Sequence, residues 1–324
     1  MNTLVLGCGL IAKRWVTHLA ADPRITITAL ADPDVNAASR LGRRGGLVDV
    51  PVFPSLETAL TATRPQIVVN LTPADIHAAG TRTALEHGAH VFTEKPLTLS
   101  LDDAVNLVEL ARVQGRVLAV MSNRGDDRRF LAFCQAARTL SPGPYTVSTD
   151  MFVSLPAAGF RSRLPHPAIQ DLAVHAFDQI QHLIAAMAVS VTCVETPLPL
   201  PGGHCSTASA HLRFADDSVF TFHGGFAGIG QRTSADGHWR IDLPTGDGCR
   251  WDGQRTITTL GPAGTASTEL ELPVDGHGPR ITAMIDAVHG GPAVPTRLGS
   301  IALLDAALRS ARSGAPAHVR QVQP

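Results

Sequence analysis

At 324 residues the chain is too long for one small hydrophobic core, so two domains are the expectation. Hydrophobic residues make up 44% and charged residues 17%, with 27 Lys and Arg against 28 Asp and Glu; this balance excludes nucleic acid and anionic membrane as expected partners. No apolar run reaches the roughly 18 residues of a membrane span, and Cys8, Cys134, Cys193, Cys205 and Cys249 form no C-x-x-C pair, which argues against a zinc site or a disulfide framework and for a reducing cytoplasm.

The N-terminal "MNTLVLGCGLIA" lacks a basic leading region and is broken by glycines, so it is expected to be a first strand and not a signal peptide. Short β-rich runs then alternate with helical patterns. "TLVLG" precedes "IAKRWVTHLA", "ITITALAD" precedes "VNAASRLG", "IVVNLTP" precedes "HAAGTRTALEHG", and "HVFTEKP" precedes "LDDAVNLVELARVQG". This alternation predicts βαβ units and a doubly wound parallel sheet, closed by "RVLAVMS" near Ser122. Beyond it, a helix is expected over Arg128 to Leu140 and a strand over "YTVSTDMFV". An arginine-bearing loop, "SLPAAGFRSRLPHP", leads into a helix from about Ile169 to Ala186. "TASAHLRFADDSVFTFHGGF" reads as a hairpin turning at "ADDS". "WRIDLPTGDGCRWDGQRTITTL" gives further strands of an antiparallel sheet packed on helices, and two C-terminal helices end in glycines.

"GCGLIA" sets Gly7, Gly9 and Ala12 between a strand and a helix. Gly7 permits the tight turn, Gly9 lets the backbone approach a pyrophosphate, and Ala12 keeps the helix close to the sheet. Leu10 and Ile11 fill the turn. Asp32 ends the second strand, twenty residues past Ala12, where an acid hydrogen-bonds ribose hydroxyls and repels a 2′-phosphate. NAD is therefore the expected cofactor, with NADP admitted because Arg43 and Arg44 follow.

Two constellations remain. In "TEKPL", Lys95 is suited to donate to a substrate hydroxyl or developing alkoxide, while Glu94 holds the local backbone or lines the nicotinamide side; the alternative is a surface Glu–Lys pair ending a strand. In "DLAVHAFDQIQH", Asp171, His175, Asp178 and His182 share one helical stripe. That stripe fits a metal site, acid/base chemistry, or a polar domain interface.

Together these stretches resemble the glucose-fructose oxidoreductase / inositol dehydrogenase / MocA (Gfo/Idh/MocA) family, through "GCGLIA", "ALADPD", "VVNLTPADIHAAGTRTALEHGAHVFTEKPL" and "DLAVHAFD". The resemblance implies an α/β Rossmann domain over 1–122. It also implies an α+β substrate and oligomerisation domain with an open, mostly antiparallel sheet over 123–324, whose last helix can pack back on the first domain. It implies Lys95, Asp171 and His175 as the catalytic set, without a metal. Thr72, Pro73, His77 and Glu94 then belong to the cofactor side and Arg161 to the substrate loop. "LPHPAIQD" departs from the family's usual glycine triplet before that helix.

The implied activity is NAD(P)-dependent hydride transfer at a hydroxyl or keto carbon of a sugar, cyclitol or similar polyol, in a homodimer or homotetramer. A biosynthetic imine or non-sugar ketone reductase, and a non-catalytic dinucleotide-binding regulator, are the alternatives.

Overall fold

A computed structural model describes residues 1–154, 159–200, 203–226, 232–274 and 276–322. Part of the arginine loop, residues 155–158, lies outside them. The chain forms two compact units. One comprises Met1–Asn123 with Gly276–Leu298, and the rest of the chain forms the other.

The first unit runs β1 (Asn2–Leu6), α1 (Ala12–Ala21), β2 (Thr26–Ala31), α2 (Val35–Arg44), β3 (Val52–Phe53), α3 (Leu56–Thr63), β4 (Ile67–Asn70), α4 (His77–Glu86), β5 (His90–Thr93), α5 (Leu101–Val113) and β6 (Leu118–Val120). All six strands are parallel, in the order β3-β2-β1-β4-β5-β6. This is the doubly wound order, which reverses between β1 and β4 and opens a crevice at their carboxyl ends. Short polar side chains start several helices. Asp34 accepts from the N–H groups of Asn36 and Ala37 at 3.0 and 3.1 Å, and Ser55 and Ser100 cap α3 and α5. The helix Gly278–Val288 adds Ile281, Met284 and Ile285 to the core around Trp15, Leu19 and Val69. The segment returning to this unit is thus Gly276–Leu298, which precedes the last helix.

The second unit contains α6 (Arg128–Leu140), β7 (Thr146–Phe152), a π-wound turn (Ala168–Ala173) leading into α7 (Val174–Leu183), then β8 (Ala188–Leu200), β9 (Gly203–Phe214), β10 (Val219–Gly225), β11 (His238–Asp242), β12 (Gly248–Trp251), β13 (Thr256–Gly261) and β14 (Gly264–Glu269). After the helix Gly278–Val288, here α8, come α9 (Leu298–Ser313) and β15 (Ala317–His318). Among the described residues nine strands form one mixed sheet, β14-β13-β12-β11-β7-β10-β9-β8-β15, antiparallel except for the β7–β10 pair.

Period-2 patterning turns Phe220, Phe222, Trp239, Ile241 and Trp251 inward. Phe130 of α6 sits 5.0 Å from the Trp239 ring, and Phe220 stacks on the same indole at 5.5 Å. Asp127 caps α6 through the Arg129 N–H at 2.9 Å. Several elements depart from the sequence expectation, and β3, α3, β14 and β15 form where none was expected. The helix expected to Ala186 stops at Leu183 and opens in π winding, and β8, a strand absent from the expected elements, forms the long partner of β9.

Candidate active site

In the first unit the expected cofactor residues all fall at the carboxyl ends of adjacent strands. Gly7 and Gly9 follow β1, Asp32 follows β2, Thr72 and Pro73 follow β4, and Glu94, Lys95 and Pro96 follow β5. Asp32 Oδ2 accepts the Cys8 N–H at 2.7 Å and Oδ1 accepts the Asp34 N–H at 2.8 Å, so the carboxylate is fixed against the glycine turn. Leu10 is fully exposed at the tip of that turn, Ile11 is half-buried, and a Cβ on Gly9 would meet nothing within 4 Å. Open space beside a helix N-terminus, with an acid one strand away, fits a dinucleotide.

Asn70, which the motif reading missed, ties these loops together. Its Oδ1 accepts the Thr72 hydroxyl at 2.6 Å, and its Nδ2 donates to the His77 carbonyl at 3.0 Å and to Thr81 Oγ1 at 3.1 Å. His77 is buried, with Nδ1 2.7 Å from the Pro96 carbonyl and Nε2 2.6 Å from the Thr72 carbonyl. Its ring therefore spans the loops after β4 and β5. Burial pulls its pKa down, opposed by those two carbonyls. A buried asparagine at a strand end gives no periodic signal, which is why pattern reading passes over it.

Glu94 lies in the interior and does not line an open surface. Its Oε1 accepts the Trp15 indole N–H at 2.8 Å and sits 3.3 Å from His277 Nε2, while Oε2 accepts the Lys95 N–H at 3.2 Å. Burial works to raise its pKa, but the bonds from His277 and Trp15 and the charges of His277 and Lys95 outweigh burial and hold it below the ordinary 4.5. A lowered folded pKa gives stability that is complete above the unfolded value and is lost as pH falls through the folded one. Glu94→Gln is therefore expected to cost roughly 1–3 kcal/mol at pH 7. The gap from wild type should begin to close as pH falls below the unfolded value of about 4.3 and vanish once pH is below the lowered folded one. Thermal melts across pH check this, and melting curves displaced equally at every pH would refute it.

In the second unit, Asp171, His175 and Asp178 are all buried, at 8% exposure each. The four polar residues of the helical stripe diverge in their contacts. Asp171 Oδ2 accepts from Arg161 Nε at 2.6 Å, and the Arg161 guanidinium lies over Phe160 at 4.7 Å and Phe226 at 5.6 Å. Asp178 Oδ1 instead accepts the Ser300 hydroxyl of α9 at 3.1 Å, and His182 Nε2 lies 3.6 Å from Asp126 Oδ1. Asp178 and His182 thus join α7 to α9 and to the segment before α6. Burial lowers the Arg124 pKa, and Asp236 and Asp171 act against it, which marks a second guanidinium in the field of Asp171.

Cys8, Cys134, Cys193 and Cys249 are buried, and burial pushes each thiol up to about 12, so none is a ready thiolate. Among the described residues no three of His, Cys, Asp and Glu gather in metal-binding geometry, and no helix is long and apolar enough to cross a membrane.

Residues 1–122 match the model of an oxidoreductase family with an NAD-binding Rossmann fold, GFO_IDH_MocA. Over this stretch the chain is similar to the Gfo/Idh/MocA oxidoreductases. The Gfo/Idh/MocA region is 35% identical over 116 residues to a dTDP-3,4-didehydro-2,6-dideoxy-alpha-D-glucose 3-reductase of Streptomyces violaceoruber, covering 36% of this chain and 33% of that protein. It is 28% identical over 120 residues to the D-glucoside 3-dehydrogenase of Escherichia coli, covering 37% and 34%. The chain thus matches about a third of the length of these curated relatives.

Among solved structures, an oxidoreductase from Agrobacterium radiobacter in complex with NAD+, L-tartaric acid and magnesium superposes with a TM-score of 0.81 at 18% identity, covering 98% of each chain. The WlbA dehydrogenase of Bordetella pertussis, in complex with NADH and UDP-GlcNAcA, gives 0.79 at 19% identity over 99% of each chain. Identities this low establish the shared fold of both units.

Proposed function

We propose that the chain is an NAD-dependent dehydrogenase or reductase acting on a hydroxyl or keto carbon of a sugar, cyclitol or similar polyol. The observation that carries this reading is the Asp32 carboxylate, locked by the Cys8 and Asp34 N–H groups beside the glycine turn, with Lys95 at the end of β5 on the same sheet edge. Asp32 would bind the adenosine ribose, the N–H groups opening α1 would face the pyrophosphate, and Thr72, Pro73 and Lys95 would flank the nicotinamide side. Bound NAD would supply the hydride acceptor or donor. Lys95 donates to the reacting oxygen and stabilises alkoxide charge. His175 takes the hydroxyl proton in oxidation and returns it in reduction, and Asp171, set by Arg161, accepts from a neighbouring hydroxyl and so orients the substrate. The sugar activities of the Streptomyces and Escherichia relatives and the sugar nucleotide beside NADH in the Bordetella neighbour support this substrate class. A cytoplasmic setting and a homodimer or homotetramer are the expected context, the assembly to be read by sedimentation.

The test is absorbance at 340 nm with NAD and NADP over a panel of polyols, aldoses and uronic acids. The expected result is turnover with at least one of them, and kcat/KM at least tenfold higher with NAD, because Asp32 repels a 2′-phosphate. A preference for NADP would overturn the cofactor assignment. Tight NADH binding without turnover on any compound would point to a dinucleotide-binding regulator.

A further inference from the structure

The helix that carries Asp171 and His175 starts without a cap of its own. Leu164-Pro165-His166-Pro167 leads into it, with no Ser, Thr, Asp or Asn, and Pro167 makes no side-chain capping bond. The first N–H is nevertheless satisfied, from another element. Ala168 N donates to Glu195 Oε1 at 2.8 Å and lies 3.1 Å from Ser206 Oγ. The Ser206 hydroxyl also donates to Glu195 Oε1.

Glu195 belongs to β8, where Val191 and Cys193 are buried and Val194 is exposed. Its side chain is only 4% exposed, and His166 Nδ1 lies 3.3 Å from Oε2. Gln170 completes the start of the helix, its Oε1 accepting the His166 N–H at 3.0 Å. Burial raises the Glu195 pKa, and the bonds from Ser206 and Ala168 and the charge of His166 oppose it. An acid on an otherwise apolar strand face is unfavourable unless it is hydrogen-bonded, and at a helix N-terminus it meets the positive end of the backbone dipole. The turn it holds is π-wound, an irregular winding that occurs mostly as single turns inside helices.

We propose that Glu195 is a positioning residue: its carboxylate, supplied by β8, holds the π-wound turn Ala168–Ala173 and through that turn sets where Asp171 and His175 stand. The consequence for turnover rests on the reading of Asp171 and His175 given above, whereas the cap does not. Freed from Glu195, the turn loses the bond that fixes its first N–H, and Asp171 moves relative to Arg161.

Glu195→Ala, Glu195→Gln and Ser206→Ala test this in the full chain. Deuterium exchange of amides 168–173, the ring resonances of 15N-labelled His175, the Kd for NAD, and kcat with the most active compound of the polyol panel are compared with wild type. Glu195→Ala should speed exchange of that turn tenfold or more, shift the His175 resonances, and lower kcat tenfold or more, with the Kd for NAD within twofold. Glu195→Gln should lose less, because its amide oxygen still accepts from Ala168, and it carries the test if the alanine variant does not fold. Unchanged exchange and His175 resonances in folded Glu195 variants would overturn the proposal, as would a fall in NAD affinity parallel to the fall in kcat. If the wild type turns over no panel compound, the functional reading fails, while exchange and the His175 resonances still decide the cap.

Discussion

Lys95→Ala is expected to lower kcat by roughly a hundredfold or more while the Kd for NAD changes less than about threefold. Removing one preorganised donor from a developing oxyanion has a cost of that order. In the proposed site, dinucleotide binding would rest elsewhere, on the glycine turn, on Asp32 and on the loop after β4. The variant is also expected to fold normally. The interior member of the pair is Glu94, held by Trp15 and His277, while Lys95 is half-buried and its backbone N–H, which survives the substitution, keeps its bond to Glu94 Oε2. Steady-state kinetics together with fluorescence titration of NADH separates the two effects. Near-normal turnover in Lys95→Ala would reduce the residue to a charge at the end of a strand.

Gly7→Ala should be the most damaging small substitution in the first unit. Gly7 has φ +88°, and a Cβ there would stand 2.7 Å from the Leu71 carbonyl carbon and 2.8 Å from both the Leu71 oxygen and the Thr72 nitrogen. These are backbone atoms at the end of β4. They cannot retreat without disturbing the Leu71 N–H bond to Leu6 at 2.7 Å and the Gly7 N–H bond to Ala31 at 2.8 Å. Strain in the left-handed region plus a backbone overlap is expected to cost about 3 kcal/mol or more, and to weaken NAD binding at least a hundredfold. Gly9→Ala is the matched control. No atom lies within 4 Å of its Cβ, so the free protein should melt within about 2 °C of wild type, yet bind NAD more weakly because the methyl occupies the pyrophosphate approach. Thermal melts with and without NAD read both variants. Equal melting temperatures for Gly7→Ala and wild type would refute the close-approach argument.

Features written in contiguous residues were legible before any coordinates. The parallel sheet shows in the alternation of apolar runs and helical periods. The glycine turn and Asp32 show in their spacing from β1, and α6 shows from Arg128 to Leu140 in its helical pattern and the proline-glycine break that follows. Each is fixed by backbone sterics, capping or period over a few residues, which the sequence carries directly.

Whatever depends on a partner distant in sequence was decided by the tertiary structure. Glu94 became an interior acid only because His277, from the segment that returns to the first unit, and Trp15 of α1 reach it. Asp178, indistinguishable from Asp171 by helical spacing, was drawn to Ser300 of α9. The start of the Asp171–His175 helix, with no capping residue of its own, took its cap from Glu195 on β8, a strand that pattern reading passed over. A buried polar group must find a partner wherever the fold offers one. Its role is therefore set by what folding brings beside it and not by its neighbours in the chain.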